Sequence, residues 1–380
     1  MRGRVCFFLF VSWMAVFITT QGWGQVTPSE PTHLVESLNI QSSLHFCGEI
    51  VPLDNREVLE RFEKEMLIAL WDRPQVILWI KRSNRYFPII EEMLADAHMP
   101  DDLKYIVLIE SALRPHIGSP KGALGFWQFT EGTGRKYGLR IDDAIDERRC
   151  IFASTRAAIA CLTEFHEHFS SWTCAAAAFN MGKQGLKTEI LVQKTDDYYH
   201  LYLPLETQRY VLRIVAAKLI VTNPGTYGFH LREAELYPPH RSDRVTVECP
   251  DGLPITVVAE AAKTTFKIIK DLNPAVRGYY LNEGRYTLFI PAGTAPEFQS
   301  RYATVLQEWT IKKDEYIYVV KRGDNLSLIA DRFGVPLPTL FLWNDLKRGE
   351  PIHPGDRLII YPASERTTED RAGPLPSDNH

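Results

Sequence analysis

The chain has 380 residues, 45% of them apolar and 24% charged, with a formal net charge of −4. That is the composition of an ordinary globular protein, long enough for one large or several small domains. The mild acidity argues against nucleic acid as a partner.

The first 24 residues read as a signal peptide. Arg2 and Arg4 form a basic start, Val5 to Ile18 is almost wholly apolar, and the small residues of Gly22-Trp23-Gly24 suit cleavage before Gln25. The apolar run is short for a bilayer span, although an uncleaved anchor is the alternative. Cys6 precedes the run and Cys47 lies too far after it to be a lipid-anchored first residue. Cleavage would remove two arginines and take the charge from −4 to −6. Export implies an oxidising compartment. Cys47, Cys150, Cys161, Cys174 and Cys249 would remain. This odd number, without zinc-ligand spacing, is expected to give buried thiols with one or two bridges.

Residues 25–74 read as a helical lead-in. Val58, Phe62, Met66, Ala69 and Leu70 recur at helical spacing after Asn55. Helices are expected from Pro74 through Lys81, from Pro88 to Ala97, and again from Pro100-Asp101-Asp102 to a stop at Pro115. The stretch Gly118 to Gly125 is a loop by its glycines and proline. Further helices are expected over Trp127–Tyr137, Ile151–Phe169, Thr173–Asn180 and Glu206–Val221.

Beyond Pro238-Pro239 the character changes. Two units, 244–293 and 315–363, repeat at an offset of 71 residues: Gly252 with Gly323, Ala259 with Ala330, Asn273 with Asn344, Gly284 with Gly355. Each reads strand, helix, helix, strand. Ala295 to Lys313 reads as a linker between them, and 364–380 as a disordered tail.

The chemistry centres on Glu110. It ends the apolar run Tyr105 to Ile109, where partial desolvation would raise a carboxyl pKa and keep it protonated near neutral pH. A protonated Glu facing a groove suits general-acid cleavage of a glycosidic bond. A solvated acid at a helix end is the plain alternative. No second acid stands out near it in sequence.

Glu110-Ser111-Ala112, followed at these spacings by Ser119, Gly122, Gly125 and Gln128, then Ala178-Phe179-Asn180 and Glu206 to Val211, resembles the catalytic domain of lytic transglycosylases. Tyr318 to Leu326 resembles the opening of a LysM unit. The resemblance implies a mainly α fold: a lysozyme-like helical catalytic domain over 75–228, followed by two small α+β LysM-type (βααβ) modules, the first degenerate. It implies an enzyme acting on peptidoglycan glycan strands, without metal or cofactor, with Glu110 as its single acid and then base.

In that family reading Ser119, Gln128, Asn180, Glu206 and Trp127 are candidate substrate-binding residues. Ser119 could equally be a turn residue, Trp127 a core aromatic and Glu206 a helix-start acid. Gly323, Asp324, Asn325, Leu326 and Asn344 mark the LysM glycan site. Phe179 departs from the family, where a tyrosine hydroxyl is thought to contact the acid; either one orienting bond is lost or another group supplies it. A hydrolytic lysozyme and a non-catalytic glycan-binding scaffold are the competing readings.

Overall fold

In the computed structural model the described residues are 34–40, 43–250, 252–313, 316–344, 346–347 and 349–361. The expected signal peptide and C-terminal tail lie outside them.

A short hairpin, β1 (His45–Phe46) and β2 (Glu49–Ile50), leads into α1 (Arg56–Trp71) and α2 (Arg73–Asp96). Asn55 caps α1 by accepting from Glu57 N, and Asp72 caps α2 by accepting from Gln75 N. Then follow α3 (Lys104–Ser111), α4 (Glu131–Lys136), α5 (Ile151–Phe169), α6 (Trp172–Met181), α7 (Lys183–Gln193) and α8 (Leu205–Thr222). One core runs through all of this, from Leu44 to Phe229, so the helical lead-in packs with the domain that follows it. Ala175 to Ala178 are almost wholly buried, and their small side chains let α6 lie close to α5 and α8. The Glu49 carboxylate caps α6 from outside, accepting from the backbone N–H of Trp172 and Thr173.

Four expectations need correction. The helices before and after Pro88 are one helix, because Pro88 sits on the exposed side while Phe87, Ile90 and Leu94 bury the opposite face. Helix α3 ends at Ser111, not at Pro115. Ala112 (φ 50°) and Leu113 (φ 57°) take left-handed conformations and stop it first. The helix expected over Trp127–Tyr137 starts only at Glu131, capped by Thr130, and Trp127-Gln128 lie in the turn before it. The five cysteines are all free thiols, so no bridge forms among the described residues.

The first small module pairs β3 (Ser242–Cys249) antiparallel with β6 (Gly284–Pro291). Between them lie β4 (Leu253–Pro254), α9 (Ile255–Ala261), α10 (Phe266–Leu272) and β5 (Tyr280–Leu281). The linker contains a helix, α11 (Phe298–Lys313), which buries Phe298 and Tyr302 in the first module's core. The second module has β7 (Ile317–Val319), α12 (Leu326–Phe333), α13 (Leu337–Trp343) and β8 (Arg357–Ile359). The repeat is visible in its bonds. Asn273 Nδ2 donates to the carbonyls of Ile269 and Phe289, and its Oδ1 accepts from Phe289 N. Asn344 does the same with Leu340 and Ile359.

Candidate active site

Helix α3 is buried along nearly its whole length, from Lys104 to Leu108, and Glu110 emerges half-buried where the helix ends. Ser111 behind it is buried, and its hydroxyl donates to Val107 O. Glu110 faces a groove of about 500 Å³, also lined by Ser119, Gln128, Phe129, Tyr137, Phe179 and Asn180. Among the described lining residues Glu110 is the only carboxylate.

Burial pushes the Glu110 carboxyl up to about 7. Two groups work against that rise. The Tyr210 hydroxyl, on buried Tyr210 of α8, donates to Glu110 Oε1 at 2.5 Å. Arg213, one turn further along α8, adds a positive field. That field is largely committed elsewhere: Arg213 bonds Glu206 at 2.9 Å and Glu65 at 3.1 Å. Among the described residues Glu110 therefore has no ion-pair partner of its own, and desolvation prevails.

The loop before α4 supplies the opposite wall. Ser119 N donates to Ala123 O at 2.9 Å, and Ser119 Oγ accepts from Ala123 N at 3.1 Å, which folds a tight turn around Gly122. Gln128 has φ 51°, and its Nε2 donates to the carbonyls of Ile117 and Gly125 at 2.9 and 2.8 Å. Both Ser119 and Gln128 reach the groove, but each also holds the loop together.

Asn180 lines the groove, and its Oδ1 accepts from Thr207 Oγ1 at 2.8 Å. Lys121, Lys136 and Lys183 also line the groove, the last two bonded to Glu164, which they hold down at about 2.

Trp127 is the correction at the site. It is fully buried with its indole N–H on Thr155 Oγ1 at 2.9 Å, so it is a core aromatic and cannot stack on a sugar. Phe129 and Phe179 face the groove instead, edge to face at 5.6 Å. Glu206 is exposed in the first turn of α8; it does not line the groove and acts on Glu110 through Arg213 and its own field. The sequence alone does not single out Tyr210 at this site. Its signal was an aromatic in the Glu206–Val211 run, but only the helix pairing brings it across to Glu110.

In the last module the marked side chains have structural roles. Asp324 accepts from Tyr318 Oη and Lys321 N, Asn325 caps α12 at Leu328 N, Gly323 has φ 92°, and Leu326 packs on the core. A cleft of about 560 Å³ between the two modules is larger than the Glu110 groove, but its acids Glu260 and Glu308 are exposed.

Residues 87–201 match the transglycosylase SLT domain family, and residues 318–360 match the LysM domain family. The chain thus carries an SLT domain followed by a LysM domain. Among curated proteins it is similar to membrane-bound lytic murein transglycosylase D of Escherichia coli K12, at 31% identity over 293 residues. The match takes in 73% of this chain, which spans 64% of the relative's length. Two solved structures are also similar. The 70 kDa soluble lytic transglycosylase of Escherichia coli is 16% identical, over 48% of this chain and 32% of its own, with TM-score 0.34. An inactive mutant of lytic transglycosylase Slt from Pseudomonas aeruginosa is 18% identical, over 40% and 26%, with TM-score 0.28. No described helix is long and apolar enough to cross a membrane.

Proposed function

We propose that this protein is an exported lytic transglycosylase. It cleaves the β-1,4 bond between N-acetylmuramic acid and N-acetylglucosamine in peptidoglycan and leaves a 1,6-anhydro end. The observation that carries the reading is Glu110: the one carboxyl among the described groove residues, raised to about 7 and bonded by Tyr210. At neutral pH a large fraction of it is protonated, so it can give its proton to the glycosidic oxygen as the C1–O bond breaks. The sugar's own acetamido group stabilises the developing cation, the role a second carboxylate fills in two-acid glycosidases. Glu110, now a carboxylate, takes the proton of the muramyl C6 hydroxyl while that oxygen bonds to C1. The acid returns to its starting form and no water is consumed.

Ser119, Asn180 and the acceptor end of Gln128 hold the acetamido and hydroxyl groups of the glycan, and Phe179 gives it apolar ground. The last module binds the same strands through backbone groups of its 323–326 loop and of the loop that follows Asn344, since the side chains of Asp324, Asn325 and Asn344 are committed to structural bonds. Tyr210 supplies the hydroxyl that Phe179 lacks, which removes the main motive for a non-catalytic scaffold.

Digestion of purified sacculi followed by mass spectrometry tests this. Products one water lighter than hydrolysed ends are expected from the wild type, and Glu110→Gln is expected to release them about 10²–10⁴-fold more slowly. Hydrolysed reducing ends would instead assign a lysozyme, and equal release by both proteins would remove Glu110 from the mechanism.

A further inference from the structure

The module over Ser242–Pro291 holds the catalytic domain with its second helix–strand loop, the counterpart of 344–352 in the last module. Asp146 N donates to Ala275 O at 2.8 Å, and Arg277 N donates to Ala144 O at 2.9 Å. The Arg277 guanidinium donates to Asp142 O at 2.9 Å, and Ile145 bridges Val276 antiparallel. Side chains follow the backbone: Ala144 and Ile145 are buried in the module's core, not in that of their own domain. A loop spent on these bonds is not free to hold sugar.

From Asp146 the contacts continue toward the groove. The Asp146 carboxylate accepts from Arg148 Nε at 2.9 Å and from Nη2 at 2.7 Å, and both side chains are buried. Arg148 Nη1 donates to Gly122 O at 3.1 Å and to Phe129 O at 3.3 Å. Those carbonyls flank the turn that carries Gln128, and Gly122 N is bonded to Ser119 O. Gly125 backs directly onto Arg148; with φ 84°, a Cβ there would lie 1.9 Å from the Arg148 carbonyl oxygen. Only a guanidinium can grip a carboxylate with two nitrogens and still present a third to the loop.

We propose that the first βααβ module is an intramolecular clamp, and that Asp146 and Arg148 are positioning residues that pass its grip to the Ser119–Gln128 wall of the groove. The consequence for catalysis rests on the reading that this groove takes the glycan. Glu110 stands on α3 and its partner Tyr210 on α8, both outside the chain of contacts, so the clamp governs substrate binding and leaves the acid's titration alone.

The test uses the full chain with Phe289→Asp and Arg277→Ala together. Phe289 stacks on Phe152 at 5.1 Å from the outward face of β6, while Leu288 and Ile290 beside it point into the module. Amide hydrogen exchange is expected to speed up at least about tenfold both in 142–146 and in 117–129, with β3 and β6 still protected. The KM for soluble uncrosslinked glycan strands is expected to rise about three- to tenfold, with kcat and the pH profile little changed. Arg148→Lys in the otherwise unaltered chain should raise KM alike and speed exchange in 117–129 without opening 142–146. It keeps the charge and does not depend on the double variant's folding. The proposal is overturned if 142–146 stays protected in the double variant, if it opens while 117–129 does not, or if Arg148→Lys has wild-type exchange and KM. A wild type without lytic activity would sink the proposed function, while the exchange results would still decide the clamp.

Discussion

Glu110 and Tyr210 form a pair whose members stand 100 residues apart in sequence. In the proposed mechanism the acid must be protonated to act, so activity is expected to fall as pH rises through about 7, where the buried carboxyl ionises. The Tyr210 hydrogen bond favours the charged form and restrains the rise. Tyr210→Phe removes that restraint: the alkaline limb of kcat/KM should move to higher pH. The plateau rate should fall by about tenfold or more, because a bond to the ionised acid also orients it. A pH–rate profile of the purified variant checks both, and an unmoved limb would mean that the hydroxyl does not act on the acid. The position of Glu110 was legible in the sequence, since an acid closing an apolar helix needs no tertiary information to stand out. Its partner was not. Phe179 marks a missing hydroxyl in the sequence, whereas the hydroxyl that reaches Glu110 comes from α8, which contacts α3 only in the folded core. Trp127 failed for a related reason: residue type says that an indole can stack on sugar or fill a core, and only Thr155, from α5, decides between them.

At the scale of elements, periodicity served well where a helix buries one continuous face, as in α1, α5 and α8. It served poorly where local turn chemistry or a long-range face competed. Left-handed Gln128 and a Thr130 cap delay the helix expected from Trp127, and this delay builds the groove wall. Pro88 shows the opposite case. Its ring removes a hydrogen bond and crowds the preceding turn, yet the buried face on both sides of it keeps α2 whole. Because Pro88 is exposed, Pro88→Ala should restore the bond without opening a cavity. The helix gain, offset by the looser unfolded chain, is expected to leave a net stabilisation of about 1–2 kcal/mol. Thermal and denaturant melts would register it, and a lower midpoint would show that the proline bend fits α2 to its neighbours. Helix α11 has a weak pattern in the sequence; Phe298 and Tyr302 find their burial only against the first module.

For the whole molecule, the repeat at 71 residues reads as two βααβ modules, the first degenerate, and Asn273 and Asn344 make matching hydrogen bonds in the two. Their surroundings differ. The first module encloses Ala144 and Ile145 of the catalytic domain and is itself covered by α11, whereas the second has a core of its own, built from Val320, Ile329, Leu340 and Leu358 among others. Sequence comparison between the repeats cannot see this, because the difference lies in what each module touches. The asymmetry sets opposite expectations for two truncations. A chain ending at 313 keeps α11 and the clamp, so the catalytic domain should melt near the full-length temperature and cleave soluble strands as fast, while co-sedimentation with sacculi weakens. A chain ending at 240 strips the cover from Ala144 and Ile145 and removes the bonds from Ala275 and Arg277. Exposing two apolar side chains and three hydrogen-bonded groups is expected to cost about 3–5 kcal/mol. The second truncation should therefore melt well below the first and have the higher KM. Equal melting temperatures for the two would mean that the first module, like the second, is only appended to the catalytic domain.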